Sequence, residues 1–471
     1  MSQAIPWRMS AIELAKAICG GLVSAREATQ SVLDRIAHVN PKINALPVLL
    51  TEQALAAADA ADVTLKSGGS VGPLHGVPIT IKINVDMAGA ATTDGLVAFK
   101  DNIAKTDSPL VASLKRAGAI IVGRNNAPAM SLRWFTDNDA HGRTLNPFDA
   151  KRTPGGSSGG AAAAAATGMG PIHQGNDYGG SIRHPAWACG VVGLRTSTGR
   201  IPSYKASAPN RIISNQIMSV QGPLTRTVAD ARLALQIMAQ GSPLDPGWVP
   251  VPLEFPDSNG PLRVAVFKSH PAYDVDKSVS NSIQQAADWL ANAGVQVEQA
   301  EPPRFEEAAH LWRVMVMDDM RRAGRAAAEK FADKGTISAL RGYLEGLPDT
   351  TRDQTLEAQM ERFNIAREWA LFYERYPVLL LPNSWKVQFP IDADIAPAAQ
   401  VHALLRAQAP LLSTAMLGLP GLTVPTGVVD GLPTGVQLST WRFREDLALR
   451  VGEIVERAAN YQVLDRVPKT W

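Results

Sequence analysis

Two hydrophobic periods run along the chain. Near the N-terminus "SAIE" (Ser10 to Glu13) and "SARE" (Ser24 to Glu27) each set a serine three residues ahead of a glutamate, the pattern of a helix capping box. After the second, Ala28, Val32, Leu33 and Ile36 recur at helical spacing. Pro41, with Asn40 and Asn44, is expected to break that helix. "ALPVLLTEQALAAADAADVTLKSGG" predicts a short apolar run and then an alanine-rich helix. The period changes in "GPLHGVPITIKINVD" (72–86), where "VPITIKI" alternates as a strand does. Residues 108–126, "SPLVASLKRAGAIIVGRNN", predict a helix, a turn at Gly118 and a buried strand. The same grammar returns in "LRVAVFK" and "SVSNSIQQAADWLANAGVQVEQAEP", which argues for an α/β fold. Helical periodicity over 304–372 predicts an excursion covering one side of the sheet. "YPVLLLPNS" returns to a buried strand, and "GLPGLTVPTGVVDGLPTGVQLST" is β structure punctuated by Gly and Pro. The final helix sets Leu447, Leu449, Val451, Ile454 and Val455 largely on one face.

Composition narrows the class. A length of 471 residues suggests two or three ordinary domains, although large α/β enzymes exceed that size as one. With 45% hydrophobic and 19% charged residues the chain forms a core. A net charge of +2, with no Lys/Arg run, argues against a nucleic-acid partner. Cys19 and Cys189 are too few for a disulfide framework and sit in apolar stretches, so free buried thiols are expected. There is no secretory signal and no apolar run of the ~18–20 residues a membrane helix needs. The expectation is a cytoplasmic protein without membrane contact.

Two glycine-flanked serines carry the candidate chemistry: "PGGSSGG" (154–160) and "DYGGSIR" (177–183), with Ser157 and Ser181 24 residues apart. A Gly/Ser linker would not lead into "AAAAAATG", which reads as a buried helix. The phosphate-binding pattern G-x-x-x-x-G-K-[ST] is absent. "GGSSG" matches G-x-S-x-G, but no buried strand precedes it as a nucleophile elbow requires. Gly175, Gly179 and Gly180 allow a tight turn before Ser181 whose N–H groups can converge on an oxyanion. A nucleophilic serine needs a base. His173 and His184 flank the motif without a carboxylate at a telling spacing, and His75 reads as structural. No His/Cys/Glu spacing suggests a metal. Lys82 stands in an apolar strand, where burial would lower its pKa toward the roughly 7–8 of catalytic lysines. Snorkelling at a strand end is the alternative. A neutral Lys82 could take the proton of Ser181 through Ser157.

These blocks, in this order, resemble the amidase signature family, as do "AIELAKAICGGLVSAREATQSVLDRIAHVNPKINA", "GPLTRTVADARLALQIMA" and the Gly/Pro-rich closing block. The likeness is weakest over 240–400. It implies one amidase signature domain over 1–471, with a mixed, twisted sheet surrounded by helices. It also implies a Ser–cisSer–Lys triad: Ser181 as nucleophile, Ser157 after a cis peptide bond as bridge, Lys82 as base. Tyr178, Gly179, Gly180 and Ser181 would form the oxyanion hole, and Asp177 and Arg183 would hold the loop. The chain departs from the family at Ile83 (usually Asp), at Asn176 (usually Thr) and at "MSLRWFTDNDAHGRT".

The implied activity is hydrolysis of an amide, aryl amide or carbamate (urethane), with ester cleavage as a side activity and no cofactor. The expected partner is a small-molecule amide or carbamate, and the chain is expected to work as a monomer or homodimer. Met130, Leu132, Trp134 and Phe135 are candidates for the substrate pocket, with plain core as the alternative. Residues 202–219 are expected to form a lid. The competing function is the glutamine-hydrolysing subunit of a tRNA-dependent amidotransferase. A third reading, a non-catalytic relative, conflicts with retention of Lys82, Ser157 and Ser181.

Overall fold

Strand alternation sorts the side chains into two cores. The structure, a computed structural model, describes residues 5–256, 261–347, 349–468 and 471. Its strands are β1 (Val48–Leu49), β2 (Pro78–Lys82), β3 (Ile120–Asn125), β4 (Ile172–Asp177), β5 (Val192–Arg195), β6 (Val220–Thr225), β7 (Arg263–Val266), β8 (Gln296–Gln299), β9 (Val378–Leu381), β10 (Gly421–Val429) and β11 (Leu432–Thr440). They form one mixed sheet in the order β1-β3-β2-β4-β6-β5-β10-β11-β9-β7-β8. β2 lies parallel to β3 and β4, and β7 lies parallel to β8 and β9. The middle, from β4 through β9, is antiparallel.

In β9, Val378 and Leu380 join one hydrophobic core while Leu379 and Leu381 join the other. In β7, Val264 and Val266 part from Ala265 in the same way. The first core holds Ile79 and Ile81 of β2 and helices Ala25–Ile43, Gly159–Ala166, Val228–Met238 and Glu445–Ala459. The second is built from helices Phe305–Asp319, Lys334–Leu344, Arg352–Arg375, Ala398–Ala407 and Ala409–Met416, packed against the faces of β7 and β9 that carry Ala265, Leu379 and Leu381. The result is the single-domain α/β fold, a mixed sheet wrapped in helices.

Both capping boxes form. Ser10 Oγ accepts from the Glu13 N–H (3.2 Å) and Glu13 Oε2 from the Ser10 N–H (2.8 Å); Ser24 and Glu27 do the same. Pro41 does not break its helix, which runs over Ala25–Ile43 and ends at Asn44 in the left-handed conformation (φ 55°). The bond that Pro41 cannot donate would have gone to Ala37, which is exposed, so water can satisfy that carbonyl. Cys19 is also a correction. It is exposed, because helix Ala11–Cys19 buries Leu14, Ala17 and Ile18 and turns its last residue outward; only Cys189 is a buried thiol. In the last helix Leu449, Val451 and Val455 are buried, while Leu447 and Ile454 sit at the half-buried margin.

The alanine run is buried in full as helix Gly159–Ala166, and its small residues bring backbone against backbone. A Cβ on Gly160 would lie 2.3 Å from Asn126 N and 2.6 Å from Ala45 O. This contact seats the helix that follows Ser157. Gly160→Ala should therefore cost about 1–3 kcal/mol of stability, as overpacking does. A lower urea midpoint at unchanged m-value checks this; an unchanged midpoint would show that the helix shifts freely.

Candidate active site

Thr80 and Lys82 alternate with Ile79 and Ile81 along β2, so the two polar side chains leave the opposite face from the apolar pair. Thr80 Oγ1 meets His173 Nδ1 at 2.8 Å. Lys82 is fully buried, not snorkelling. Its N–H donates to Gln174 Oε1 (3.1 Å), and Arg124 Nη2 donates to its carbonyl (2.9 Å), so the backbone cannot slide. The ammonium form loses hydration with no carboxylate in hydrogen-bond contact. Burial pulls the pKa down to about 7, opposed by the more distant negative charges of Asp94 and Asp177.

Three oxygens surround Lys82 Nζ: Ser157 Oγ at 2.7 Å, Asn176 Oδ1 at 2.7 Å and Ser158 Oγ at 3.1 Å. The Gly156–Ser157 peptide bond is cis. The Ser158 N–H donates to the Ser181 carbonyl (3.1 Å), tying the two serine loops together. Ser157 and Ser181 line the same cavity. Among the described residues the Ser181 hydroxyl has no hydrogen-bond partner, so the Ser157–Ser181 link is not made as a hydrogen bond. Hydroxyl pairs of this kind commonly tighten only with substrate present.

The loop 178–182 is held from below by Asp177, which is wholly buried. Its Oδ1 accepts from the Gly180 N–H (2.8 Å), Arg183 Nη2 (3.0 Å) and Arg195 Nη1 (3.0 Å). Its Oδ2 accepts from the Ile182 N–H (3.1 Å) and Arg183 Nε (3.0 Å). The two guanidinium groups outweigh the burial penalty and hold the Asp177 carboxyl well below the usual range. One expected donor is thereby corrected: the Gly180 N–H is already committed to Asp177. Among the described residues the N–H groups of Gly179 and Ser181 have no protein acceptor. Trp312 Nε1 donates to the Tyr178 carbonyl (3.0 Å), and a planar trans peptide then turns the Gly179 N–H the opposite way. A side chain at 179 is excluded, since its Cβ would lie 2.4 Å from the Trp312 ring.

Ser181 stands between two cavities. The outer one, about 370 Å³, is of mixed character, with Asn84, Asp86, Lys205 and Arg211 among its polar walls and Leu110, Met130 and Ile212 among its apolar ones. Segment 202–219 lines it, as a lid would. Ser207 bonds Asp86 (2.7 and 2.9 Å), the Ser203 N–H bonds Asp245 (2.6 Å), and Ser214 bridges Tyr178 Oη to Asp319. The inner cavity is aromatic and apolar, walled by Trp134, Tyr178, Trp312, Met317, Leu340 and Tyr343. Trp134 stacks on Trp312 with centroids 6.3 Å apart, and Tyr343 meets Trp134 edge-on at 6.1 Å.

Of the sequence-based pocket candidates, Met130 lines the outer cavity, Trp134 the inner one and Leu132 both. Phe135 lines neither and packs in the second core. His173 and His184 are buried, and each is pushed down to about 3 by desolvation, so neither carries charge near neutral pH. Among the described residues His184 has no hydrogen-bond partner on either ring nitrogen. Among the described residues His75 Nε2 is likewise without a partner.

Sequence reasoning missed Arg195, Asn84, Ser158 and Trp312. Arg195 had the signal that exposed Lys82, a charge inside an apolar strand ("VVGLR"). Trp312 had none, because its contact spans 134 residues of chain.

The family model described as Amidase matches residues 27–449. The chain is 42% identical over 455 residues to the indoleacetamide hydrolase of Bradyrhizobium diazoefficiens, covering 96% of this chain and 87% of the relative. It is 29% identical to one subunit of the glutamyl-tRNA(Gln) amidotransferase of Roseiflexus sp., covering 95% of each. Among solved structures, a bacterial aryl acylamidase of the amidase signature enzymes superposes with a TM-score of 0.86 at 26% identity, covering 98% of this chain and 99% of that one.

Removing the Asp177 charge would leave two buried guanidinium groups without their shared anion. Asp177→Asn should cost about 3–5 kcal/mol, measured by urea denaturation at neutral pH. Because the folded-state pKa is depressed, this stability is present above the ordinary carboxylate range and fades as pH falls below it. The midpoints of wild type and variant should therefore converge on acidification; a constant gap would contradict the assignment.

Proposed function

Since the chain belongs to the amidase family and is an amide-hydrolysing enzyme, we propose that its substrate is the primary amide of an arylacetic acid, cleaved through Lys82, Ser157 and Ser181. The observation that carries the reading is the aromatic cavity opening beside Ser181. Trp134 and Trp312 are already stacked and the cavity holds about 50 Å³, so an aryl ring would enter by parting these walls, and would then set a one-carbon linker and its carboxamide over the serine hydroxyl. The indoleacetamide hydrolase at 42% identity supports the ring class.

Neutral Lys82 Nζ takes the Ser157 proton as Ser157 takes that of Ser181, and Ser181 Oγ attacks the carbonyl carbon. The N–H groups of Gly179 and Ser181 receive the oxyanion; one such donor is typically worth about 10²–10³ in rate. The C–N bond breaks as the leaving nitrogen receives a proton back through Ser157. Ammonia departs, and water cleaves the acyl-enzyme along the same proton path in reverse. Aryl carbamates and esters fit this chemistry as side substrates. The reading uses no metal, cofactor or nucleic acid, and a cytoplasmic monomer or homodimer suffices for it.

The second reading, a glutamine-hydrolysing amidotransferase subunit, is favoured by the likeness to amidotransferase subunits at 29–31% identity, but glutamine has no ring for the aromatic cavity. The two readings part on the purified chain alone. Indole-3-acetamide should release ammonia and glutamine should not; the reverse would overturn the proposal. Ser181→Ala should lower turnover more than about 10⁴-fold. A lysine must be deprotonated to act as base, so kcat/KM should rise with pH through an acid limb near pH 7. A limb near pH 4 would point to a carboxylate instead.

A further inference from the structure

Lys82 Nζ has three oxygen neighbours but, when neutral, only two N–H bonds and one lone pair. The lone pair must face Ser157 for the amine to act as a base, so the other two oxygens have to accept. The structure gives each a reason to accept. Asn176 Nδ2 donates to Asn84 Oδ1 (2.9 Å), and Asn84 Nδ2 in turn donates to Ser131 Oγ (3.0 Å). That chain of carboxamides turns Asn176 Oδ1, an acceptor, toward the amine at 2.7 Å. Ser158 Oγ donates to the Asn176 carbonyl (3.3 Å) and so offers Lys82 a lone pair. With both N–H bonds taken, the remaining partner, Ser157 Oγ at 2.7 Å, can only donate its proton to nitrogen.

We propose that Asn176, braced by Asn84, is a positioning residue that fixes the amine so that its lone pair faces Ser157. The inference rests on the reading of Lys82 as the base. Asn176 lines the outer cavity and is half-buried, as is Asn84, so substitution there does not open the core. A threonine, usual at this position in the family, lacks a second polar atom to reach Asn84 while accepting from the lysine.

The test is the pH profile of kcat/KM for indole-3-acetamide in wild type, Asn176→Asp, Asn176→Ala and Asn84→Ala, with Lys82→Ala alongside. In Asn176→Asp the amide oxygen becomes a carboxylate oxygen in contact with the amine. The acid limb should move up by about 1–3 pH units, with activity recovering at alkaline pH. The other charges acting on Lys82, those of Asp94 and Asp177, are unchanged in this variant. Asn176→Ala and Asn84→Ala should lower kcat about 10–100-fold with little change in KM, because these side chains act on the base and not on the substrate. An acid limb that stays in place in a folded Asn176→Asp variant would overturn the proposal. So would Asn84→Ala at wild-type kcat, which still tests the brace if the aspartate variant fails to fold. Failure of the base reading is separate: Lys82→Ala would then keep its turnover whatever the Asn176 variants do.

Discussion

A lysine amine enclosed by hydroxyls and a carboxamide, with no carboxylate touching it, is the constraint around which this site is built. Burial alone makes the charged form costly, and the usual remedy, an ion pair, is withheld. Asp177, one of the two anions that act on the amine from a distance, is itself in contact with Arg183 and Arg195. That arrangement lets one carboxylate brace the loop before Ser181 while leaving Lys82 near the balance between its two protonation states. Had Asp177 approached the amine instead, the ion pair would have kept the proton on nitrogen through neutral pH.

The sheet makes this enclosure possible. β2 sends Ile79 and Ile81 into the first core and leaves Thr80 and Lys82 on the other face, where Thr80 meets His173 of the neighbouring β4 and Lys82 meets the Ser157 loop. Helix Gly159–Ala166 can approach so closely only because its residues are glycine and alanine, so the alanine run and the lysine belong to one packing solution. The second core has a different task. Its helices supply Trp312, Met317, Leu340 and Tyr343 to the inner cavity, which Lys82 and Ser157 do not line. The proposed chemistry thus comes from the sheet and its loops, and ring selection from the helical layer.

Legibility followed the range of the interaction. Local signals read well: the capping boxes, the alternation in "VPITIKI", the buried alanine helix and the Gly/Pro-punctuated β structure of the closing block. A charge within an apolar strand exposed Lys82 and would have exposed Arg195 by the same logic. Pro41 misled because a proline in the last turn of a helix removes only one bond, here to an exposed residue. Phe135 misled because an apolar residue beside a cavity wall can equally pack into the core behind it, and local sequence does not separate the two. The Gly180 N–H was misassigned because a carboxylate three residues earlier competes for it, a contact set by the turn and invisible in a run of glycines.

Trp312 marks the limit of what local pattern can tell. Its indole N–H reaches across 134 residues to the Tyr178 carbonyl, and its ring fills the space that a side chain at 179 would need. A glycine there reads from sequence as freedom; in the fold it is the opposite, a position emptied so that an aromatic ring can press on the backbone and aim its N–H. The same ring walls the inner cavity. On the proposed reading, donor placement and ring recognition are therefore coupled through one residue. A substrate ring that displaced Trp312 would also turn the Gly179 N–H away from the developing oxyanion, so a poorly fitting ring would be penalised in kcat as well as in KM.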